Sequence, residues 1–279
     1  MYHRILTAVD GSLNAHAAAR YAIALAHACG ATLYVAGIIT PEMTGKDEGA
    51  LAQSAGTLVA ETEGKGVPAH LLIERGEVVK TLDGLARTHR IDVMMTASRH
   101  EDTEHRYFMR SVPQRLMRVL TASVIVVRVV HLGVLAHPQE ILVPVLGSPR
   151  DHAERTYLVS MLARHFQARV IVFHALEASA HSGRAVAREA GARRVEAICE
   201  QLRKAGVAPH VRVVAHPLVG EAIMQEAARH RHDLIIMGAS QRSLLTKWRR
   251  GNPVEDVMRR TPCDLLVCRS HRGSPHADP

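Results

Sequence analysis

Aromatic side chains are scarce in this chain: they make up 3% of its 279 residues, with one Trp, three Phe and five Tyr. Hydrophobic residues nevertheless reach 47%, so the core must be built from Val, Ile, Leu, Met and Ala, a composition typical of α/β proteins. The formal net charge is +8, but specific base reading would need basic side chains interleaved with aromatic ones. The composition therefore argues against a specific nucleic-acid partner and leaves attraction to small anions or phosphate groups.

The chain also lacks a disulfide framework and any long hydrophobic run. Its four cysteines form no CxxC pair, and we interpret them as reduced thiols. No apolar run approaches the roughly 20 residues that a membrane helix needs. The first residues, Met1 to Arg4, lead into a predicted strand rather than a signal peptide. We therefore expect a cytoplasmic protein with no membrane insertion.

Recognisable catalytic and metal-binding motifs are missing. Neither HExxH nor G-x-S-x-G occurs, and Ser12 and Ser148, which follow a Gly at predicted strand-to-helix turns, are most simply helix N-caps. The segment 99–106 mixes His with carboxylates, residue types that suit zinc, but without the spacing of a ligand motif. A solvated loop is the favoured interpretation. We predict that the protein binds no metal and is not an enzyme.

The sequence contains an internal repeat. The stretch Ile5–Ser12 returns as Ile141–Ser148 at an offset of 136 residues, and Ile91–Ala97 returns as His232–Gly238 at an offset of 141. Two copies of one domain are therefore fused head to tail, each large enough to bury its own core. We place the boundaries at 1–130 for the first domain, 131–139 for a linker, 140–270 for the second domain and 271–279 for a disordered tail.

Short β-branched runs alternate with longer Ala-rich stretches in each copy, a pattern that predicts alternating strands and helices. Continuously apolar strands such as 122–127 indicate burial on both faces, which favours a mainly parallel sheet covered by helices on both sides. The first copy is predicted to have strands at 3–9, 31–39, 69–74, 92–97 and 123–129 and helices at 12–29, 48–65, 77–89 and 111–120. The second copy repeats this order.

Three segments resemble one known family: Val9–Ser12 at the end of the first strand, Asp233–Ser240, and Gly251–Val267. On these motifs the chain is identified as a tandem member of the universal stress protein family, and the resemblance covers nearly its whole length. It implies two Rossmann-like domains of the adenine nucleotide alpha hydrolase-like type, each a five-stranded, mainly parallel sheet with helices on both faces.

The resemblance also implies a ligand. In the nucleotide-binding branch of that family, an Asp closing strand one lies near the adenosine, an apolar residue ending strand two meets the adenine, and G-x2-G-x9-G-[ST] holds the phosphates. Glycines let backbone N–H groups approach an anion closely, and the following helix offers free N–H groups and its positive dipole end. ATP or another adenine nucleotide is therefore the cofactor candidate, although other members bind none.

The first copy keeps only part of this pattern. Asp10 stands at the strand-one position and Ile38 at the adenine position, but the motif reads Ala97, His100, Arg110 and Ser111 where the family has Gly, Gly, Gly and Ser. Side chains then stand where bare backbone should meet phosphate. The nucleotide-binding residues predicted here are Asp10, Ile38, Ala97, Ser111 and Val112.

The second copy departs in the complementary way. It keeps Gly238, Gly251 and the cap-competent Asn252, but Gln241 replaces the second glycine and Leu146 replaces the Asp. A leucine cannot accept a hydrogen bond from adenosine, and a buried partner left unpaired costs about 1 to 3 kcal/mol. This copy is nevertheless favoured as the binding half. The residues predicted to bind nucleotide are Gly238, Ala239, Gln241, Arg242, Gly251, Asn252, Pro253 and Ala175.

Basic residues surround the second motif, and two interpretations stay open for them. Arg242, Lys247, Arg249 and Arg250 could form charge-assisted bonds to an anion, or they could belong to a polar loop of a basic protein. Trp248 in the same segment is interpreted as a packing or dimer-contact residue.

The sequence as a whole predicts a stress-response binding and signalling module for a small anionic or nucleotide ligand. The alternatives are an interaction scaffold that binds no nucleotide and, as a weaker one, a nucleotide hydrolase. The family resemblance also implies pairing through last strands, so that 123–127 and 265–268 would form a pseudo-dimer within one chain, which could dimerise again.

Overall fold

The computed structural model describes residues 1–98, 111–132, 137–146, 152–176, 184–239 and 252–271. The chain divides into two compact units. Unit 1 comprises Met1–Ala136 with Arg269–Arg272, and unit 2 comprises His137–Cys268 with Gly273–Pro279. Within the described residues, none of the helices has the length and hydropathy needed to cross a membrane. The tail predicted to be disordered lies outside these residues, apart from His271.

Unit 1 alternates strands and helices along its described length. Its elements are β1 (Arg4–Val9), α1 (Leu13–Cys29), β2 (Thr32–Ile39), α2 (Gly45–Gly64), β3 (Ala69–Arg75), α3 (Val78–Thr88), β4 (Val93–Ala97), α4 (Val112–Val119) and β5 (Ser123–Arg128). The helix predicted at 48–65 begins earlier because Thr44 and Asp47 form a capping box, in which each side chain accepts a hydrogen bond from the other residue's backbone N–H.

Unit 2 repeats this order. Its elements are β6 (Glu140–Pro144), α5 (His152–Phe166), β7 (Arg169–Leu176), α6 (Arg184–Lys204), β8 (Pro209–Ala215), α7 (Val219–Arg229), β9 (Leu234–Gly238), α8 (Pro253–Arg260) and β10 (Asp264–Arg269). The repeat predicted from two short sequence echoes is therefore a repeat of the whole fold.

All the strand pairs within each unit are parallel. The strand order is β3-β2-β1-β4-β5 in unit 1 and β10-β9-β6-β7-β8 in unit 2, which is the same arrangement read from the opposite edge. The predicted fold class, two five-stranded Rossmann-like domains, is confirmed. In such sheets, ligands bind beyond the carboxyl ends of the strands, where the strand order reverses direction. That point lies between β1 and β4 in unit 1, and between β6 and β9 in unit 2.

Aliphatic side chains fill the interior, as the composition predicts. All six residues of β5 are buried, and so are the first four residues of β9. Helix α1 buries mainly Ala residues against the sheet, which lets its backbone pack close to β1 and β4. Gly30 ends α1 in the left-handed conformation (φ 61°), where its backbone N–H reaches the last carbonyls of the helix.

Asp92 and Asp233, which occupy the same position in the two repeats, each bind the start of the neighbouring central strand through hydrogen bonds. The Oδ2 atom of Asp92 accepts hydrogen bonds from the backbone N–H groups of His3 (2.7 Å) and Arg4 (2.9 Å) at the start of β1. In unit 2, Asp233 Oδ2 accepts from Gln139 (2.8 Å) and Glu140 (3.0 Å) at the start of β6. Each carboxylate therefore satisfies two amides at the amino end of a central strand.

Candidate functional site

The register of unit 1 brings three predicted contact residues to the same end of the sheet. Val9 pairs with Gly37, so Asp10, directly after β1, lies beside Ile38, near the carboxyl end of β2. On the other flank Ala8 pairs with Thr96, which places Ala97 at the end of β4 next to the end of β1. The reversal in strand order lies between β1 and β4, so these residues mark the expected ligand crevice.

Asp10 is held in place by a tight turn. Its Oδ1 atom accepts a hydrogen bond from the backbone N–H of Ser12 (3.0 Å), while Ser12 Oγ accepts one from Ala15 N (3.2 Å) and caps α1. Gly11 between them has φ of 80°, a conformation that favours glycine. The Asp10 carboxylate is exposed, whereas Ile38 is 8% exposed and offers an apolar surface beside it. The N-cap interpretation of Ser12 is confirmed.

Helix α4 begins at the predicted phosphate end of unit 1. Ser111 is its N-cap, with Oγ 3.5 Å from the backbone N of Gln114, and Pro113 lies in the first turn. Val112 begins the helix and is half-buried. Both Ser111 and Val112 therefore lie at a helix N-terminus, where free N–H groups favour an anion. His100, Arg110 and the His- and carboxylate-containing segment 99–106 lie outside the described residues.

At the corresponding end of unit 2, the apolar Leu146 occupies the position that Asp10 has in unit 1. Pro144 pairs with Phe173, so Leu146, two residues after β6, lies beside Ala175, near the carboxyl end of β7. Both are half-buried, as is Gly238 at the end of β9. Ala239 is buried, and its backbone N–H donates to the carbonyl of Cys268 (2.8 Å), which extends the β9–β10 ladder.

Helix α8 starts with a strong cap. Asn252 Oδ1 accepts a hydrogen bond from Val254 N (3.1 Å), and Pro253 occupies the first helical position. Burial, with a smaller contribution from the charge of Asp256, raises the pKa of Glu255 to about 7, so this carboxyl group is partly protonated at neutral pH. The Asn252 cap was predicted. Gln241, Arg242, Gly251 and the remaining basic residues of the loop lie outside the described residues.

Sequence reasoning missed a group of buried cationic and imidazole side chains at this end of unit 2. We call His152, Arg155 and His174 the basic cluster. Arg155 in α5 is 1% exposed, and its Nη1 atom lies 3.0 Å from the point that a Cβ atom on Gly238 would occupy. Gly238 therefore makes room for a guanidinium group, a role that the nucleotide motif does not suggest.

The two histidines of the basic cluster are kept neutral by their surroundings. His152 Nε2 lies 3.0 Å from the carbonyl oxygen of Leu146, and burial together with the nearby charge of Arg155 lowers its pKa to about 4. Burial also lowers the pKa of His174, with a smaller contribution from Arg194. His174 packs against Gly191 of α6, where any side chain would collide with the imidazole.

The signal that could have found this cluster was the repeat itself. Gly30 and Gln167, which both have positive φ, follow α1 and α5, and this alignment relates Ala18 to Arg155. The strand registers relate Gly37, which pairs with Val9, to His174, which follows Phe173. Unit 1 has small residues at the positions where unit 2 has large basic ones.

A proline shortens the ladder between the two central strands of unit 2. The β1–β4 ladder includes four residue pairs, whereas the β6–β9 ladder includes only Ile141 with Leu234 and Leu142 with Ile235. Val145 N–H points to β7, where it donates to Phe173 O (2.8 Å), so the neighbouring residue, Pro144, faces β9. Proline has no N–H to donate, and the ladder therefore stops before it.

A second polar group lies at the opposite, amino end of unit 2. His232 is 5% exposed and lies between two carboxylates, with Nδ1 3.2 Å from Glu140 Oε2 and Nε2 3.8 Å from Glu226 Oε1. Burial lowers its pKa in spite of these acids. Glu226 also pairs with Arg212. No set of three or more His, Cys, Asp or Glu residues suited to a metal ion occurs in the described part of the chain.

Known proteins share this architecture. The sequence model of the universal stress protein family matches residues 1–128 and 138–269. A universal stress protein from Archaeoglobus fulgidus is similar in structure, with a TM-score of 0.64 and 17% identity over 96% of both chains. A putative universal stress protein from Pseudomonas aeruginosa has a TM-score of 0.64 and 15% identity, over 95% of this chain and 92% of that one.

The fold is not confined to proteins of that description. The cytoplasmic domain of a prokaryotic cation chloride cotransporter has a TM-score of 0.66 with 9% identity, over 99% of this chain and 98% of that one. No curated protein matches the sequence. At these identities the structural likeness shows the fold alone, so the ligand must be argued from the residues of this chain.

Proposed function

The chain belongs to the universal stress protein family, and we propose that it acts in stress response as a binding and signalling module for a small phosphate-bearing ligand, with an adenine nucleotide such as ATP as the first candidate. The ligand binds beyond the carboxyl ends of the central strands. The observation that carries the proposal is that the strand registers bring Asp10, Ile38 and Ala97 of unit 1, and Ala175 and Gly238 of unit 2, to this end, at the reversal in strand order.

Each unit keeps a different part of the nucleotide-binding pattern within its own crevice. Unit 1 retains the adenosine end, with the exposed Asp10 carboxylate beside the apolar Ile38. Unit 2 retains the phosphate end, with Gly238 and the capped start of α8 at Asn252 and Pro253. The sequence favours unit 2 as the binding half, through Ala175, Gly238, Ala239, Gln241, Arg242, Gly251, Asn252 and Pro253.

A pair of cap substitutions tests which unit binds. Aspartate caps a helix as well as Asn or Ser does, so Asn252→Asp and Ser111→Asp preserve α8 and α4 while adding a negative charge at each helix start. Equilibrium dialysis with labelled ATP should show binding by the wild type. A new charge within about 4 Å of a phosphate opposes binding by roughly 1 kcal/mol or more, which is a loss of at least about fivefold.

Gln201→Glu is the matched control because it adds the same charge at an exposed position near the end of α6. Weakening by Asn252→Asp alone assigns the phosphates to unit 2, and weakening by Ser111→Asp alone assigns them to unit 1. Absence of ATP binding by the wild type would remove the nucleotide and favour the alternative, an interaction scaffold that binds its partners without nucleotide.

We further propose that the ligand is bound and not turned over, and that the protein works in the cytoplasm and pairs through its last strands, with a second copy as a further partner. Steady phosphate release from ATP by the purified wild type, and its loss in Asn252→Asp, would instead make the protein a nucleotide hydrolase. Light scattering checks the partner: a dimer has twice the mass of the 30.5 kDa chain.

A further inference from the structure

Strand β3 forms one edge of the unit 1 sheet. Among the strands that the structure describes, it pairs with β2 alone. Gly76, directly after β3, donates its N–H to Ile39 of β2, and alternate residues of a strand in a parallel pair bond to the same neighbour. The odd-numbered residues of β3, among them Leu71 and Ile73, therefore direct their N–H and C=O groups away from β2. An edge of this kind can accept a further strand.

The sequence of β3 is complementary to itself in an antiparallel pair. A two-fold axis through Leu72 places Leu71 opposite Ile73 of a second copy, so that their outward backbone groups bond to each other. The same register places His70 opposite Glu74, once on each side of the axis. Both side chains are exposed, and the imidazole can donate to the carboxylate. Moving the axis to Leu71 or Ile73 removes this match, so the charges select a single register.

The edge of the unit 2 sheet lacks this complementarity. Strand β8 is the repeat of β3 at an offset of 140 residues, and its charged residues, His210 and Arg212, are both basic. No register of two β8 strands therefore pairs opposite charges, and an axis at the position of Leu72 would place Arg212 opposite itself. Pro209, at the first position of β8, has no N–H to offer a further strand. The comparison assigns the pairing edge to unit 1.

Helix α2 leaves room for a second α2 beside it. It packs on both β2 and β3, and the side chains of Leu51 and Ile73 meet at the open Cβ position of Gly37. The two-fold axis is perpendicular to the sheet, so both α2 helices lie on one face. Their axes are then about two strand spacings, or about 10 Å, apart, which is close to the usual 8–10 Å of packed helices. Leu71 lies on the same face as Ile73 and is 45% exposed, and the two helices would cover it.

The side of α2 that would meet the second helix carries small residues. Glu48 pairs with Arg75 at the end of β3, which identifies the side of α2 nearest the edge. Ala52 and Gly56 follow Glu48 at intervals of four and continue this side, and Gly49 lies next to them. Nothing lies within 4 Å of the Cβ position of either glycine. Glycine is less favourable than alanine within a helix, and here the open space suits the close approach of another backbone.

The axis through Leu72 passes near the middle of this small-residue side. Leu51 lies level with Ile73, and Leu72 is one residue, about 3.3 Å, closer to the start of β3. Because α2 runs in the opposite direction to β3, the axis crosses the helix about two residues after Leu51. Gly49 of one copy then lies near Gly56 of the other.

Unit 2 carries large charged residues at the corresponding helical positions. The offset of 140 residues, which the positive-φ glycines after α2 and α6 also keep, relates Gly49 and Gly56 to Glu189 and Glu196. Both glutamates are exposed and form ion pairs along α6. Two α6 helices could not approach each other in the same way, so the small residues and the self-complementary strand occur together in unit 1.

We propose that the β3 edge of unit 1 is a homodimer interface, in which the β3 strands of two copies pair antiparallel about Leu72 and their α2 helices pack side by side above them. The proposal deepens the proposed function by assigning a surface to the second copy, and it rests on that function only for the existence of this copy. It does not depend on a nucleotide.

Sedimentation equilibrium of the full chain, without nucleotide, measures the Kd of the dimer. The wild type should reach twice the mass of the 30.5 kDa chain. Gly56→Glu introduces the residue that α6 has at this position, and it should raise the Kd at least about tenfold because the side chain enters the space between the helices. Gly84→Glu is the matched control: its Cβ position in α3 is also open, and it should leave the Kd unchanged. Neither substitution meets a neighbouring group, so both variants should fold.

A charge exchange tests the register. His70→Glu places two carboxylates opposite each other on both sides of the axis and should raise the Kd roughly fivefold. Combining it with Glu74→His restores a His–Glu match and should return the Kd to within about twofold of the wild type. His210→Glu, at the corresponding exposed position of β8, should have no effect.

A disulfide tests the position of the axis. Residues that face each other in a non-hydrogen-bonded antiparallel pair have Cα atoms about 4.5 Å apart, which a disulfide can span. Leu72→Cys should therefore form a covalent dimer when it is oxidised with oxidised glutathione, and Val213→Cys, at an exposed position of β8, should not. The four native cysteines are buried.

The outcomes separate this interface from the proposed function. A wild-type dimer whose Kd is unchanged by Gly56→Glu and His70→Glu, or a Leu72→Cys variant that forms no covalent dimer, overturns the inference and leaves the second copy to another surface. A wild type that stays a single chain up to roughly 1 mM removes the second copy as well. Either result leaves nucleotide binding to be decided by dialysis, and absence of ATP binding leaves the β3 interface standing.

Discussion

Nη1 of Arg155 lies 3.0 Å from the point where a Cβ atom on residue 238 would be. Gly238 matches the first glycine of a phosphate-binding motif, yet the group nearest to its missing side chain is a guanidinium of the same chain. The glycine is therefore required by internal packing, whether or not a ligand's phosphate approaches its backbone. Substitutions at residues 238 and 155 can therefore separate the packing role of Gly238 from any role in ligand binding.

Gly238→Ala should lower the free energy of unfolding by about 1 kcal/mol, since the new methyl group crowds Arg155. In the double variant with Arg155→Met, most of that loss should disappear, because the guanidinium that the new methyl group would crowd is no longer present. Urea unfolding of the four proteins in this cycle gives the coupling energy. Gly84→Ala in α3 is the control: nothing lies within 4 Å of its Cβ position, and the substitution should stabilise the helix by roughly 0.5–1 kcal/mol. Additive effects at residues 238 and 155 would contradict the assigned contact.

Gly191→Ala tests the other side of the basic cluster. A Cβ atom at residue 191 would overlap the imidazole of His174, so the helix and β7 would have to separate. We expect a loss of about 1–3 kcal/mol in the free energy of unfolding. His174→Ala should restore most of it, because it removes the colliding ring. Thermal unfolding followed by circular dichroism measures both, and equal losses with and without His174 would show that Gly191 is needed for another reason.

The sequence predicted the fold because periodicity, capping residues and the internal repeat all pointed the same way. The cap at Ser12, the Asn252 cap and the buried strand 123–127 could be read directly, since local rules determine them. The sequence pattern alone places the start of α2 at residue 48 rather than 45, because it takes no account of the capping box at Thr44.

The basic cluster could not be predicted in the same way. Arg155 lies on a helix among surface-like residues, and only the three-dimensional course of α5 brings its guanidinium to the end of β9. An arginine is normally assigned to the surface, because burying its charge is costly. Family motifs directed attention to glycines in the loops, whereas the difference between the units lies in a helix and in β7.

Asp92 and Asp233, at the amino ends of the two sheets, should contribute equally to the free energy of unfolding. Asp92→Ala removes the acceptor of two backbone amides at the start of β1, and Asp233→Ala does the same at β6. Each should cost about 1–2 kcal/mol, since these carboxylates are only partly shielded from water. Asp83→Ala is the control: it removes the ion pair of Asp83 with the exposed Arg87 within α3 and should lower the free energy of unfolding by no more than about 0.5 kcal/mol. Chemical unfolding of the three variants gives the comparison, and a cost confined to one unit would contradict the shared role.

Stability should fall with pH below neutrality because of the buried histidines. The pKa of His152 is about 4 in the folded protein and about 6.5 in the unfolded chain. Between these values the unfolded chain binds a proton that the folded chain does not, so the free energy of unfolding decreases as the pH falls from about 6.5 to about 4. The loss from His152 alone is at most about 3 kcal/mol, and His174 and His232, whose pKa values are also lowered by burial, add to it.

His152→Gln isolates this contribution, because the amide can still donate to the carbonyl of Leu146 but does not titrate. We expect the variant to lose less stability than the wild type between pH 7 and 4.5, as measured by urea unfolding in buffers without phosphate. His210→Gln, at an exposed histidine of β8, should follow the wild-type curve. A His152→Gln curve parallel to that of the wild type would show that the imidazole at residue 152 is not held neutral by burial and by the charges of Arg155 and Arg194.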